Sequence, residues 1–167
     1  MELLKLAIEW AKEEVFSTRF FILFSILFLG MSIGFWKLGK TDLAKAYIIP
    51  TLIAGSLLMI IGLGLFFTNK LRVVQFEKAF HEDKSIFLQS EVVRTQNTLK
   101  EYTLVFKIIP SLIIIAAFIM LFMTLPIWRA SCITAIALLA IILLIDGMAH
   151  ARIETYHEKL KEISIED

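Results

Sequence analysis

The sequence has 167 residues, of which 58% are apolar, and its mean hydropathy is +0.78. Ordinary soluble domains contain roughly half apolar residues even when glycine is counted, so this composition excludes that class. The formal net charge is +1 and no basic face stands out, which argues against nucleic acid as a partner.

Four long stretches of the sequence carry no charged residue: 20–36, 46–69, 108–128 and 130–145. A helix needs roughly 20 apolar residues to cross the hydrocarbon core of a bilayer, and no strand alternation is visible. The sequence therefore predicts an all-α membrane protein with one polytopic domain, 1–167. Its transmembrane helices are expected at about 18–37, 46–68, 108–126 and 129–149.

The first predicted helix begins before the membrane. Residues 2–17 carry an apolar stripe at helical spacing: Leu4, Ile8, Ala11 and Val15. We expect this segment to continue the first transmembrane helix, and its four glutamates distinguish it from the basic start of a cleaved signal peptide. The alternative is a helix lying flat on the membrane, with Leu3, Leu6 and Trp10 among the headgroups.

The other three transmembrane helices continue past the lipid in the same way. Apolar residues spaced three and four apart occupy the adjoining segments 69–81, 85–107 and 150–164. Four such stripes on adjacent helices bury against one another, so we predict a cytoplasmic four-helix bundle roughly 20–30 Å tall. Helix caps are expected in the turns, at Thr41 or Asp42 and at Asp83 or Ser85.

The distribution of Lys and Arg predicts the orientation. Thirteen of the seventeen lie in residues 1–19, 70–107 and 152–167, and four lie in the two turns on the other side. Positive residues are retained on the cytoplasmic side of a membrane. We therefore predict that both termini and the long middle segment are cytoplasmic, and that the protein lies in the cell inner (plasma) membrane.

A cluster of metal-binding residue types follows the fourth span. On a helix, Asp146, His150, Glu154 and His157 fall within about 80° of one another. Glu154 and His157 also have the spacing with which helical bundles hold iron. Together with His81 they form a candidate metal site: His81, His150, Glu154 and His157. The alternative is a solvated helix edge without metal, and no other cofactor is predicted.

Asp146 lies where the fourth span meets the inner interface. Carboxylates near lipid are costly, so they are usually paired or functional. We expect a structural charge pair with a cation predicted at the same level: Arg19, Lys70, Arg72 or Lys107. Proton or cation handling is the alternative.

Small residues inside the predicted spans indicate where helices pack. Gly30 and Gly34 form a Gly-x-x-x-Gly pattern on the first helix, and Gly55 and Gly62 lie on the second. Glycines permit close backbone approach between membrane helices, although lipid also tolerates them without any specific contact. Cys132 is the one cysteine, so an intrachain disulfide is excluded.

No motif in the sequence identifies an activity. It lacks a nucleophile–base pair, a Gly-rich phosphate loop and charged residues in the middle of any span. We therefore predict a non-catalytic protein that binds a protein partner or another copy of itself through its helices or cytoplasmic bundle. It would be an accessory subunit, a regulator or an immunity protein against a membrane-inserting toxin. The alternatives are an oligomeric ion channel lined by Gly/Ser faces, and a metal-binding membrane protein.

Overall fold

The structure, a computed structural model, describes residues 1–166. Within them the chain forms four long helices and one short helix: α1 (Glu2–Leu38), α2 (Asp42–Ala46), α3 (Ile48–Glu82), α4 (Lys84–Phe122) and α5 (Pro126–Glu166). The prediction of an all-α protein is confirmed. Each long helix contains a segment that is long and apolar enough to cross a membrane, as the four charge-free stretches predicted.

Local side-chain chemistry sets the starts of two helices. The hydroxyl of Thr41 accepts a 3.2 Å hydrogen bond from the backbone N–H of Ala44 at the start of α2. The carboxylate of Asp83 accepts bonds of 2.8 and 3.0 Å from the N–H groups of Ser85 and Ile86 at the start of α4. These caps satisfy N–H groups that have no partner within the helix.

The turn between α4 and α5 lies earlier than expected. The third span was predicted to end at residue 126, but α4 ends at Phe122 and α5 begins at Pro126. Proline suits the first turn of a helix because its missing N–H would have no intrahelical partner there. Pro110, by contrast, lies inside α4, which continues through it as one helix.

The charged extensions of the four long helices pack together at one end of the molecule. We call this the polar end, and it comprises residues 2–16, 69–82, 84–107 and 150–165. Its core contains apolar and aromatic residues from all four: Leu3, Trp10, Phe76, Phe87, Tyr156 and Leu160, among others. Because Leu3 and Trp10 are buried here, the start of α1 is not a separate helix lying flat on a membrane.

The remainder, residues 17–68 and 108–149, is called the membrane half. In this half α1 and α3 approach each other closely at two glycines. A Cβ added to Gly55 would lie 2.8 Å from Cγ of Leu29, and one added to Gly62 would lie 3.0 Å from Cβ of Phe21. Gly30, in contrast, has no atom near an added Cβ, and the same is true of Gly34. The two backbones therefore approach each other at the α3 glycines. Among residues 1–166, no other residue packs closely against the two glycines of the Gly-x-x-x-Gly pattern in α1.

Candidate functional site in the polar end

Glu91 is a buried acid on α4 that accepts hydrogen bonds from two other side chains. Arg94 donates to it from Nε at 2.8 Å and from Nη2 at 2.6 Å, and the hydroxyl of Tyr156 donates at 2.9 Å. Only 4% of Glu91 is exposed. A buried carboxylate is tolerated when its charge is paired and its oxygens are hydrogen-bonded, as they are here. The bond to Tyr156 also fixes α4 against α5.

Trp10 brings α1 into contact with Arg94 and Tyr156, the two side chains that bind Glu91. Its ring stacks on Tyr156 with centroids 5.2 Å apart and planes 9° from parallel. The guanidinium carbon of Arg94 lies 4.5 Å from the Trp10 ring centroid, and that of Arg72 lies 5.5 Å from it. A cation over an indole ring is attracted by the ring's negative face, most strongly where water is excluded. One indole thus connects residues of α1, α3, α4 and α5.

A second ion pair joins α1 to α5. Arg152 donates from Nε to Oε1 of Glu14 at 3.0 Å, and its Nη2 also lies 3.0 Å from that oxygen. Burial raises the pKa of Glu14, and the neighbouring Arg152 charge partly offsets this rise. The two residues are 138 positions apart in the sequence, so this pair closes the first helix onto the last.

His157 is buried between α4 and α5. Its Nδ1 shares a 2.6 Å hydrogen bond with the hydroxyl oxygen of Thr95, which is itself fully buried. The Thr95 hydroxyl also lies 2.8 Å from the carbonyl oxygen of Glu91, so this bond belongs to a buried group that joins α4 to α5. Burial lowers the pKa of His157, as does the charge of Lys161, and both favour the neutral ring.

The structure does not bring the four predicted metal ligands together. His81 is exposed against Phe80 on α3, and His157 faces Thr95. His150 contacts aromatic rings of α4, and its Nδ1 lies 3.9 Å from the carboxylate of the exposed Glu154. Within residues 1–166 no group of three or more His, Cys, Asp or Glu side chains has a geometry that could hold a metal ion. Helical spacing aligns His150, Glu154 and His157 along α5, but the facing helices supply no further ligand.

The predicted charge pair at the inner interface is also not formed in the described part of the chain. Asp146 is half-buried and has no ion pair with Arg19 or Lys107, both of which are exposed. Arg19 instead lies over the ring of Phe16, one turn earlier on α1, at 5.5 Å. The ion pair that does join α1 to α5 is formed by Glu14 and Arg152, farther from the membrane half.

Hydroxyl groups in the membrane half are used in the contact between α1 and α3. Ser25 donates to the carbonyl of Gly55 at 2.7 Å, and Ser32 donates to that of Ile48 at 2.8 Å. Both serines are buried. These side chains therefore fix two helices together within one chain and do not line an open polar face.

Three residues of this site did not stand out from the sequence: Glu14, Glu91 and Arg94. Arg72 was considered there only as a partner of Asp146. One signal was present. Glu91 follows Leu88 by three residues and precedes Thr95 by four, so it lies on the apolar stripe of α4. A carboxylate on a buried stripe requires a partner, and Arg94 is one helical turn away.

The site holds Glu91 and Glu14 in ion pairs with Arg94 and Arg152, and it does not present a reactive group. Burial raises the pKa of Tyr156, and the negative charge of Glu91 raises it further, so the phenol stays protonated as a donor. The Thr95 hydroxyl is inaccessible, because both it and His157 are buried. The arrangement joins four helices and leaves an adjoining polar cavity, described below.

Comparison with known proteins gives no relative for this chain. No protein-family model matches it, and no curated protein or solved structure is similar to it. Its function is therefore inferred from its own residues and contacts.

Proposed function

We propose that the chain is a non-catalytic, multi-pass protein of the cell inner membrane that acts by binding another membrane protein, or a second copy of itself, through its helices. The polar end would be the cytoplasmic four-helix bundle, with both termini in the cytoplasm. The excess of Lys and Arg in these segments supports that orientation. An accessory, regulatory or immunity role fits this mode of action.

The contrast between the two halves of α4 is the observation that supports the proposal. In the polar end, Glu91 and Arg94 fix α4 to α5 and α1. In the membrane half, only 6% of the residues in the most apolar 18-residue segment of α4 are buried. The corresponding share in the other three long helices is 22–33%. Large side chains such as Ile114 and Phe118 are exposed there.

An exposed apolar helix gains by packing against another helix in the membrane. Lipid tails surround such a face as readily as protein does, so association depends on close van der Waals packing. That packing requires a surface held in a constant position. The buried network at the polar end supplies this constraint, because it fixes where α4 leaves the polar end and enters the membrane.

Cysteine cross-linking in native membranes tests the proposal. A Cys132→Ala background removes the native thiol, and single Ile114→Cys or Phe118→Cys substitutions then report on the α4 face. We expect a thiol-attached photoactivatable diazirine reagent, which inserts into C–H bonds and needs no amine, to give a discrete adduct with a second membrane protein or a second copy. Mass spectrometry of the adduct identifies the partner.

Ile60 on α3 provides the matched control. It is 69% exposed, whereas Ile114 is 68% exposed, so both cysteines face the surroundings to the same extent. Adducts from α4 and none from Ile60→Cys support binding through α4. No adduct at either α4 position, or equal adducts at Ile60, contradicts the proposal.

A further inference from the structure

A cavity of about 280 Å³ adjoins the buried network where the polar end meets the membrane half. It is bounded by all four long helices, with Leu65 toward the membrane half and Glu101 among its lining residues. Since a water molecule occupies about 30 Å³ of liquid, the cavity has room for a polar group of several heavy atoms. The polar side chains that matter for its chemistry are Glu14, Asn69, Arg72, Arg94, Thr98 and Tyr102.

Arg72 has unused hydrogen-bonding capacity in this cavity. Its Nη1 donates to Oδ1 of Asn69 at 2.9 Å, and within residues 1–166 it forms no ion pair. A guanidinium has five N–H donors in a planar fork, so most of those of Arg72 have no protein acceptor. Its half-buried position makes these donors costly to leave without a partner.

A second donor beside the cavity also has no partner. Trp10 lines it, and the indole Nε1 of Trp10 is buried without a hydrogen-bond acceptor. Two nearby carboxylates are already occupied, since Glu14 accepts from Arg152 and Glu91 accepts from Arg94, and the third, Glu101, is exposed. The buried indole N–H of Trp10 and most N–H donors of Arg72 therefore have no acceptor in the described part of the chain.

The charges around the cavity also favour binding of an anion. Arg72, Arg94 and Arg152 face two buried or half-buried acids, Glu14 and Glu91, and Glu101 is exposed. Burial lowers the pKa of Arg72, and the like charge of Arg94 lowers it further, while the charges of Glu91 and Glu14 act in the opposite direction. An anion placed beside Arg72 would add to the effect of these two acids.

We propose that this cavity binds a phosphate group, with Arg72 as its principal ligand. The guanidinium fork matches two phosphate oxygens, and a phosphate offers more acceptor oxygens than a carboxylate to the unused donors. The group comes either from the headgroup of an anionic phospholipid or from a soluble phosphate compound. Leu65 at the membrane side of the cavity makes the headgroup the source that we expect.

Tryptophan fluorescence of the full chain tests this site. Trp36→Phe and Trp128→Phe leave Trp10 as the one reporter, beside the cavity. One arm titrates inorganic phosphate into protein in a neutral detergent. The other compares nanodiscs of phosphatidylcholine with nanodiscs that contain increasing phosphatidylglycerol. A saturable emission change in the lipid arm alone identifies a headgroup, and a change in both arms identifies a general phosphate site.

Three variants separate specific binding from surface charge. Arg72→Gln removes the principal ligand and should weaken binding about tenfold or more, as expected for loss of charge-assisted hydrogen bonds. Arg19→Gln removes an exposed positive charge near the same interface and should leave binding within about twofold. Thr98→Leu keeps Arg72 but replaces a hydroxyl of the cavity lining with a larger apolar side chain, and should also weaken binding.

Thr98→Leu keeps the test decisive if Arg72→Gln fails to fold. The Thr98 hydroxyl bonds only to the carbonyl of Arg94 on its own helix, so the substitution removes no contact between helices. Loss of the emission change in Arg72→Gln or Thr98→Leu, with retention in Arg19→Gln, supports the site. The proposal is overturned if neither arm gives saturation, if Thr98→Leu binds like the parent, or if Arg19→Gln loses as much as Arg72→Gln.

Discussion

The phenol oxygen of Tyr156 lies 2.9 Å from Oε2 of Glu91, and the two residues are 65 positions apart in the sequence. Both side chains are buried, and the same carboxylate oxygen also accepts from Arg94 at 2.6 Å. One carboxylate thus fixes the relative position of α4 and α5 and holds the cation that stacks on Trp10. Its removal would leave a cation and a phenol without their partner in the core.

Glu91→Ala is expected to destabilise the protein by about 3 kcal/mol, because it leaves the buried Tyr156 and the half-buried Arg94 unpaired. Glu9→Ala is the control, since Glu9 is 60% exposed in its ion pair with Lys5, and surface pairs contribute about 0–1 kcal/mol. Loss of helical circular dichroism on titration with a denaturing detergent measures both. Equal midpoints for the two variants would contradict the structural role of Glu91.

The ion pair between Glu14 and Arg152 predicts a charge-reversal result. Glu14→Arg places two cations together and should cost about 2–3 kcal/mol, less than a fully buried mismatch because the pair is partly exposed. The double variant Glu14→Arg with Arg152→Glu should recover a large part of that loss. The same detergent unfolding assay, run as a double-mutant cycle, measures the coupling. A double variant no more stable than Glu14→Arg would show that the two side chains do not interact.

From the burial of His157 we predict that the protein loses stability in mild acid. Burial lowers its pKa in the folded protein below the usual 6.5, so the unfolded chain binds a proton more readily. Stability from the neutral ring is therefore complete above pH 6.5 and declines as the pH falls below it. Melting temperatures between pH 8 and pH 5 should fall more for the native protein than for His157→Gln. His81→Gln, which changes an exposed imidazole, should keep the native slope, and a native slope in His157→Gln would refute the prediction.

The contact between α1 and α3 predicts unequal effects at two glycines of one helix. Gly55→Leu would push a side chain into Leu29 and should cost about 1–3 kcal/mol or more through overpacking. Gly64→Leu is the matched control, because nothing lies within 4 Å of a Cβ at Gly64. Its effect should stay within about 0.5 kcal/mol. Equal thermal stabilities in detergent would mean that α1 and α3 do not approach as closely as described.

The sequence predicted the helices and the spans because both depend on local periodicity. Charge-free stretches of membrane length and apolar stripes at helical spacing indicate the four long helices without any knowledge of their neighbours. The caps at Thr41 and Asp83 follow from residue type next to a helix start. The early end of α4 was missed: the third span was expected to reach residue 126, whereas Pro126 begins α5.

The pairing of charges was not predictable in the same way. Which acid meets which cation depends on the rotation of each helix about its axis, and hydropathy constrains that rotation only to within a broad face. Asp146 and Arg19 were expected at one level of the membrane, yet the fixed pair is Glu14 with Arg152. Likewise, His150 and His157 share an edge of α5, but α4 presents rings to the first and a hydroxyl to the second.

The distance along the chain between Glu14 and Arg152 has a consequence for biogenesis. A ribosome synthesises α1 long before α5, so a nascent chain carries the Glu14 carboxylate and the Trp10 indole without Arg152 and Tyr156. Insertion of the first three long helices cannot complete this core. We therefore expect the newly made protein to gain the protease resistance of a complete core only after its last helix has been inserted.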